Sequence, residues 1–273
     1  MNARSVPFLR VTLNCSSVSC ARHSLSLFLM SLISGSDLNL GCLGKRIADR
    51  FRDFPAQVNS AAMLISILLA LILVSALLAI VADWRQRGPA FFVFKPLTSV
   101  LVIALALAWP DSQAAPYQAL ILGGLGFCLL GDVLLMGEGR RPFIAGLLAF
   151  LVGHLAFAAA FVIGVDQLMP PGWSLLLVLA GVPMFGLLIW RADGLRVPVA
   201  VYGAVLLGML LLAAARHQEL GDAAASRALL GALLFVLSDS LLAIRKFLQP
   251  RIDLQPPLLL SYWAGIALIG ISA

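Results

Sequence analysis

Apolar residues run along this chain in long unbroken blocks, without the alternation of a half-buried strand. Eight blocks stand out, at 61–82, 92–109, 117–136, 143–163, 173–191, 196–215, 226–245 and 256–273. Each holds 18 to 22 residues, enough to cross a hydrocarbon core of about 30 Å at about 1.5 Å per helical residue. The breakers RGP, WPDSQAAP, GEGRRP, MPPG and QPRIDLQPP separate successive blocks. Continuous rather than alternating runs argue against a membrane β-barrel. The pattern predicts an all-α fold, a polytopic membrane bundle of about eight transmembrane helices spanning 61–273.

Composition agrees with that class. Of 273 residues 61% are hydrophobic and 12% charged, where a soluble domain carries roughly a quarter charged. The four cysteines (Cys15, Cys20, Cys42 and Cys128) show no CxxC spacing, so they outline neither a disulfide framework nor a zinc knuckle. The net charge of +6 sits in short loops, which reads as topology rather than a nucleic-acid surface. Loops 1–2, 3–4, 5–6 and 7–8 with their flanks hold ten Lys or Arg, and the other loops hold only Arg216 and Arg227. By the positive-inside tendency the first side is cytoplasmic, in a multi-pass cell (inner) membrane protein.

The first 60 residues obscure this asymmetry, adding seven Lys or Arg to the opposite side. Their one apolar stretch, LSLFLMSLIS at 25–34, is too short to span, and no small-x-small cleavage site follows it. Residues 1–60 are expected to be a disordered extension or a mis-called start, with translation beginning near Met63.

On this topology, polar side chains from seven spans collect toward the cytoplasmic side. Asp83 ends span 1, and Lys95, Thr98 and Ser99 open span 2. Asp132 lies near the inner end of span 3, and Asp239, preceded by Ser238, near that of span 7. Tyr202 and Tyr262 lie six residues into spans 6 and 8, and His154 is deeper in span 4. The outer half is expected to be nearly pure Leu, Ala, Val and Gly. An ionised carboxylate at membrane depth costs several kcal/mol unless it is paired, hydrated or protonated. All three states suit general acid or base work. The plainer reading makes Asp132 and Asp239 helix-pairing residues, Lys95 a snorkelling cation and the tyrosines an interfacial belt. GDVLL and SDSLL nearly repeat on parallel spans, but no wider self-similarity accompanies them.

Taken together, DWRQRGPAFFVFKPLTS at 83–99, LLGDVLLM at 129–136, FIAGLLAFLVGHLAFAAAF at 143–161, GALLFVLSDSLLAIRKF at 231–247 and YWAGIALI at 262–269 resemble the YhhN-like family. Its characterised members are lysoplasmalogenases. The resemblance covers the chain from about residue 63 onward. It implies an integral membrane hydrolase that cleaves the vinyl-ether bond of a lysoplasmalogen to a fatty aldehyde and glycerophosphoethanolamine or glycerophosphocholine. The family's two intramembrane aspartates correspond to Asp132 and Asp239, one acid and one base, in an order left open. Lys95 is a candidate phosphate contact, and His154, Tyr202, Tyr262, Asp83, Thr98 and Ser238 complete the candidate substrate site. Many relatives carry Gln where this chain has Gly265, which receives no role.

The substrate would be a lysophospholipid within the bilayer, with no cofactor or metal required. An Asp/His/Asp zinc site is the alternative that a metal assay decides. The rival function is a small-molecule or lipid transporter using the aspartates as a proton relay. A structural protein whose aspartates only join helices is the third reading.

Overall fold

The computed structural model describes residues 40–85, 88–110, 113–192, 194–249 and 251–273, with side chains from residue 60. All the described regular structure is helical: α1 (Leu40–Trp84), α2 (Pro89–Ala108), α3 (Ala115–Leu135), α4 (Arg140–Phe161), α5 (Ser174–Arg191), α6 (Arg196–Leu220), α7 (Ala223–Phe247) and α8 (Gln255–Gly270). Seven are long and apolar enough to cross a membrane, with Ser60–Trp84 as the spanning part of α1. Large apolar side chains such as Leu73, Leu77, Leu176 and Leu179 stand exposed on α1 and α5, a surface suited to lipid. The protein is a multi-pass membrane bundle.

Local chemistry sets the helix ends. Prolines occupy the first turns of α2, α3 and α8, where a missing N–H leaves no carbonyl unpaired. Between α6 and α7 the connection is two residues. Gly221 takes the left-handed conformation (φ 60°) and its N–H bonds the His217 carbonyl. Asp222 then caps α7 by accepting from the Ala225 N–H at 2.6 Å.

Two boundaries differ from the sequence reading. α1 begins at Leu40, so residues 40–59 of the segment expected to be a disordered extension or a mis-called start are helical; residues 1–39 lie outside the described residues. The compact unit that carries the other helices comprises Val58–Ala273. α8 has 16 residues and stops at Gly270, short of the expected 256–273. The Ser272 hydroxyl donates to the Ile269 carbonyl at 2.6 Å, and the Ala273 N–H reaches Gly270. The last residues therefore form a turn.

Six helices close a ring, packing in the order α2, α3, α4, α6, α7, α8 and back to α2. α1 joins through Ser75, whose hydroxyl lies 2.8 Å from that of Thr98. α5 leans on α6 from outside and is the least buried span, at 11% against 44% for α6. Phe150, Phe157, Phe235 and Tyr262 pack edge to face inside the ring. Without a hydrophobic force between helices in lipid, close approach through small residues supplies much of the packing. Where α7 crosses α8, a Cβ on Gly231 would lie 2.7 Å from the Gly265 carbonyl oxygen, and one on Gly265 would lie 3.0 Å from that of Gly231. Gly265, an outlier against the resemblance, is thus a backbone contact.

The expectation of an apolar outer half fails at the end of the bundle opposite Asp132. There the Arg216 guanidinium lies 4.4 Å from the Tyr117 ring centre and donates to the Ile163 carbonyl at 2.6 Å. Tyr117 in turn shares a 2.9 Å hydrogen bond with Ser272. A buried arginine is tolerable because its charge finds a ring face and a carbonyl.

The α7–α8 crossing is testable in purified protein. Gly231→Val should lower the thermal unfolding midpoint, with a loss of about 1–3 kcal/mol from overpacking. Gly208→Ala, where an added methyl meets open space, should leave the midpoint unchanged or raise it.

Candidate active site

Lys95 and Ser99 stand four residues apart on α2, one turn, and so present side chains to the same place. What they face is Asp132, in the last turn of α3. Ser99 donates its hydroxyl to Asp132 Oδ2 at 2.6 Å, and Tyr262 of α8 donates to the same oxygen at 2.7 Å. The Lys95 ammonium lies 3.3 Å from Oδ1. Two helices, α2 and α8, thus supply a cation and two hydroxyl donors to a carboxyl on a third that is 1% exposed. Phe150 flanks this group by lying over Gly131, where a Cβ would sit 2.6 Å from its ring.

Asp239, on α7, is furnished differently. Tyr202 of α6 donates a short hydrogen bond to Asp239 Oδ2. His154 Nε2, from α4, lies 3.5 Å from the same oxygen. Neither ring nitrogen of His154 has a hydrogen-bond partner among the described residues, and its ring packs against Phe235 and Tyr202. No ammonium or guanidinium pairs with Asp239 among the described residues. One carboxyl therefore faces a cation and two hydroxyls, the other a phenol and an imidazole.

Both carboxyls line one cavity of about 450 Å³. It reaches the turn Gly137–Gly139 between α3 and α4, together with the final turns of α7 and the start of α8. Lys95, Ser238 and Tyr262 also line it, and Glu138, Arg245, Lys246 and Gln255 occupy its loop end. Arg245 is oriented by a short hydrogen bond to the Gln255 side chain, and Lys246 lies 4.6 Å from the Phe143 ring centre. The volume and the mix of lining groups suit a small amphiphile.

The structure thus draws Asp132, Lys95 and Tyr262 into one cluster and Asp239, Tyr202 and His154 into another. Ser238 lines the cavity but spends its hydroxyl on the Leu258 carbonyl at 3.2 Å. Thr98 turns away, toward Ser75 and the Phe94 carbonyl, and its neighbour Ser99 makes the carboxylate contact instead. Asp83 ends α1 outside the cavity lining. The zinc alternative does not meet the geometry: among the described residues no three His, Cys, Asp or Glu cluster as metal ligands would. In the sequence Arg245 and Lys246 read as topology charges or as ion-pair partners of the aspartates, and Gln255 receives no role; among the described residues the ion-pair partner of Asp132 is Lys95 instead. The available signal was the position of Leu242 and Lys246, three and seven residues after Asp239 and so on its face of a helix of 3.6-residue period.

The model of the YhhN family matches residues 90–273. Human lysoplasmalogenase TMEM86B is 34% identical over 174 residues, covering 63% of this chain and 71% of the human protein. A lysoplasmalogenase of Mycobacterium tuberculosis is 32% identical over 185 residues, covering 64% and 67%. The membrane protein YhhN of Escherichia coli is 33% identical over 162 residues, covering 58% and 75%. No solved structure matches the chain.

The Asp132 cluster carries a stability prediction. Lys95→Met leaves a buried carboxyl without its cation and should cost about 3–5 kcal/mol. Adding Asp132→Asn should recover much of that loss in thermal unfolding. An equal loss in the single and double variants would show that the ion pair is not what Lys95 contributes.

Proposed function

The chain belongs to the YhhN family, and we propose that it is a lysoplasmalogenase that hydrolyses a vinyl ether with two differently partnered carboxyls. The carrying observation is that asymmetry within one cavity: Asp132 is paired with Lys95, and among the described residues no ammonium or guanidinium pairs with Asp239. The names of its human and mycobacterial relatives support the same substrate class.

The chemistry divides along the asymmetry. An unpaired carboxylate among apolar helices is costly, so Asp239 is assigned the proton. Its O–H bond breaks as the proton passes to the alkene carbon remote from the ether oxygen, and the electrons of the double bond form the new C–H bond. The cation that results is shared between the adjacent carbon and the ether oxygen. Asp132, held as a carboxylate by Lys95, Ser99 and Tyr262, stabilises that charge, as the second carboxylate of a glycosidase does. Water then adds to the cationic carbon, and its spare proton restores the Asp239 acid. The hemiacetal collapses as its hydroxyl proton moves to the ether oxygen. The products are a fatty aldehyde and glycerophosphoethanolamine or glycerophosphocholine.

Lys95 is committed to Asp132, so the phosphate of the substrate is assigned to Arg245 and Lys246 at the loop end of the cavity. That end carries the Lys- and Arg-rich loops, which supports a site opening to the cytoplasmic leaflet of the inner membrane. A proton-relay transporter would need a path through the far end, which the Arg216–Tyr117–Ser272 contacts occupy.

Purified protein supplied with a lysoplasmalogen should release fatty aldehyde. Asp239→Asn and Asp132→Asn should each lower the rate by at least about a hundredfold, Asp239→Asn while unfolding at near wild-type temperature and Asp132→Asn at a lower one, because it leaves the buried Lys95 ammonium without its counter-ion. Equal aldehyde release from all three proteins would contradict the assignment, and release of fatty acid from ester lysolipids alone would redirect the substrate.

A further inference from the structure

A second, smaller opening, lined mostly by apolar side chains, also reaches Asp239. It lies between α4, α5, α6 and α7 and is lined by Leu147, Phe185, Leu188, Val199 and Leu206, with Tyr202 and Asp239 as its polar members. The polar cavity and this apolar cleft share Phe143, Asp239 and Leu242. Asp239 therefore stands at a junction: charged and polar side chains lie on one side and hydrocarbon on the other.

An amphiphile cleaved at the bond joining its chain to its headgroup needs such a junction. The bond next to the acid is the boundary between its two halves, so the halves must leave the acid in opposite directions. We propose that the apolar cleft holds the hydrocarbon chain of the substrate, with the vinyl ether beside Asp239 and the headgroup in the polar cavity. The inference rests on the lysoplasmalogenase reading and adds where the chain lies.

The helix that covers the cleft is suited to admitting a chain. At about 30 Å³ the cleft holds little more than one methylene group as it stands, so its cover must yield. That cover is α5, the least buried span. Pro183 inside it removes one backbone hydrogen bond. Two residues on, Phe185 rests against Gly203, where a Cβ would lie 2.8 Å from its ring. Outward movement of α5 opens the cleft toward the bilayer, and a chain already in lipid enters without crossing water.

The test uses the intact protein in nanodiscs and a non-hydrolysable alkyl-ether lysolipid carrying a mid-chain diazirine. After illumination, adducts mapped by mass spectrometry should fall on Phe185, Leu188 or Leu206, and excess unlabelled lysolipid should suppress them. Adducts confined to lipid-facing residues such as Leu176, Leu179 and Trp190 would overturn the proposal. A second arm measures chain-length preference. Leu206→Phe should lose about fourfold in kcat/KM for each methylene that no longer fits, and Leu206→Ala should shift the preference to longer chains. An unchanged preference in both variants would also overturn it. Aldehyde release by the wild-type protein separates the two readings. Release with surface adducts only removes the cleft and leaves the lysoplasmalogenase; cleft adducts without release support the chain site and remove the vinyl-ether reaction.

Discussion

Two carboxyl groups sit among apolar helices, and the rest of the bundle is arranged around the cost of holding them there. For Asp132 that cost is offset by Lys95 and by hydroxyls from Ser99 and Tyr262. Each donor comes from a helix that must keep its register for the contact to survive. Among the described residues Asp239 has Tyr202 in hydrogen-bond contact and His154 close by. A neutral acid needs less than an anion does, so the sparser surroundings of Asp239 match the role of proton donor proposed for it. Removing either set of partners would leave the ring of six helices closed around an uncompensated polar group.

Packing and chemistry are tied together in the same elements. The α7–α8 contact through Gly231 and Gly265 brings the helix of Asp239 against the helix of Tyr262. Tyr262 therefore reaches across to Asp132 from a helix whose position the glycines set. Phe235 touches both clusters, with its ring against those of His154 and Tyr262. The aromatic rings bring apolar surface against both clusters, and a low-dielectric surrounding strengthens the charge interactions there.

Long apolar blocks made the helices legible, because 18 or more continuous apolar residues have few other stable arrangements. The aspartates were legible for the converse reason, as charges where a charge is expensive. Their partners were harder to read. Tyr262 and Asp132 are 130 residues apart, and only the closure of the ring brings them together. Thr98 and Ser99 are adjacent, and a helical step of about 100° per residue decides which one faces α3. The Arg216–Tyr117 contact was hidden because an arginine near a helix end reads first as a loop charge. The end of α8 was missed because its last residues are apolar and nothing in their hydropathy marks a turn.

The step that distinguishes the proposed reaction is the transfer of a proton from the site to carbon. Hydrolysis of a lysoplasmalogen by the purified protein in heavy water, with the aldehyde trapped by reduction as it forms, reads that step in the product. The mechanism predicts one deuterium on the carbon next to the former carbonyl carbon in every molecule released. Product carrying hydrogen alone at that carbon would contradict it.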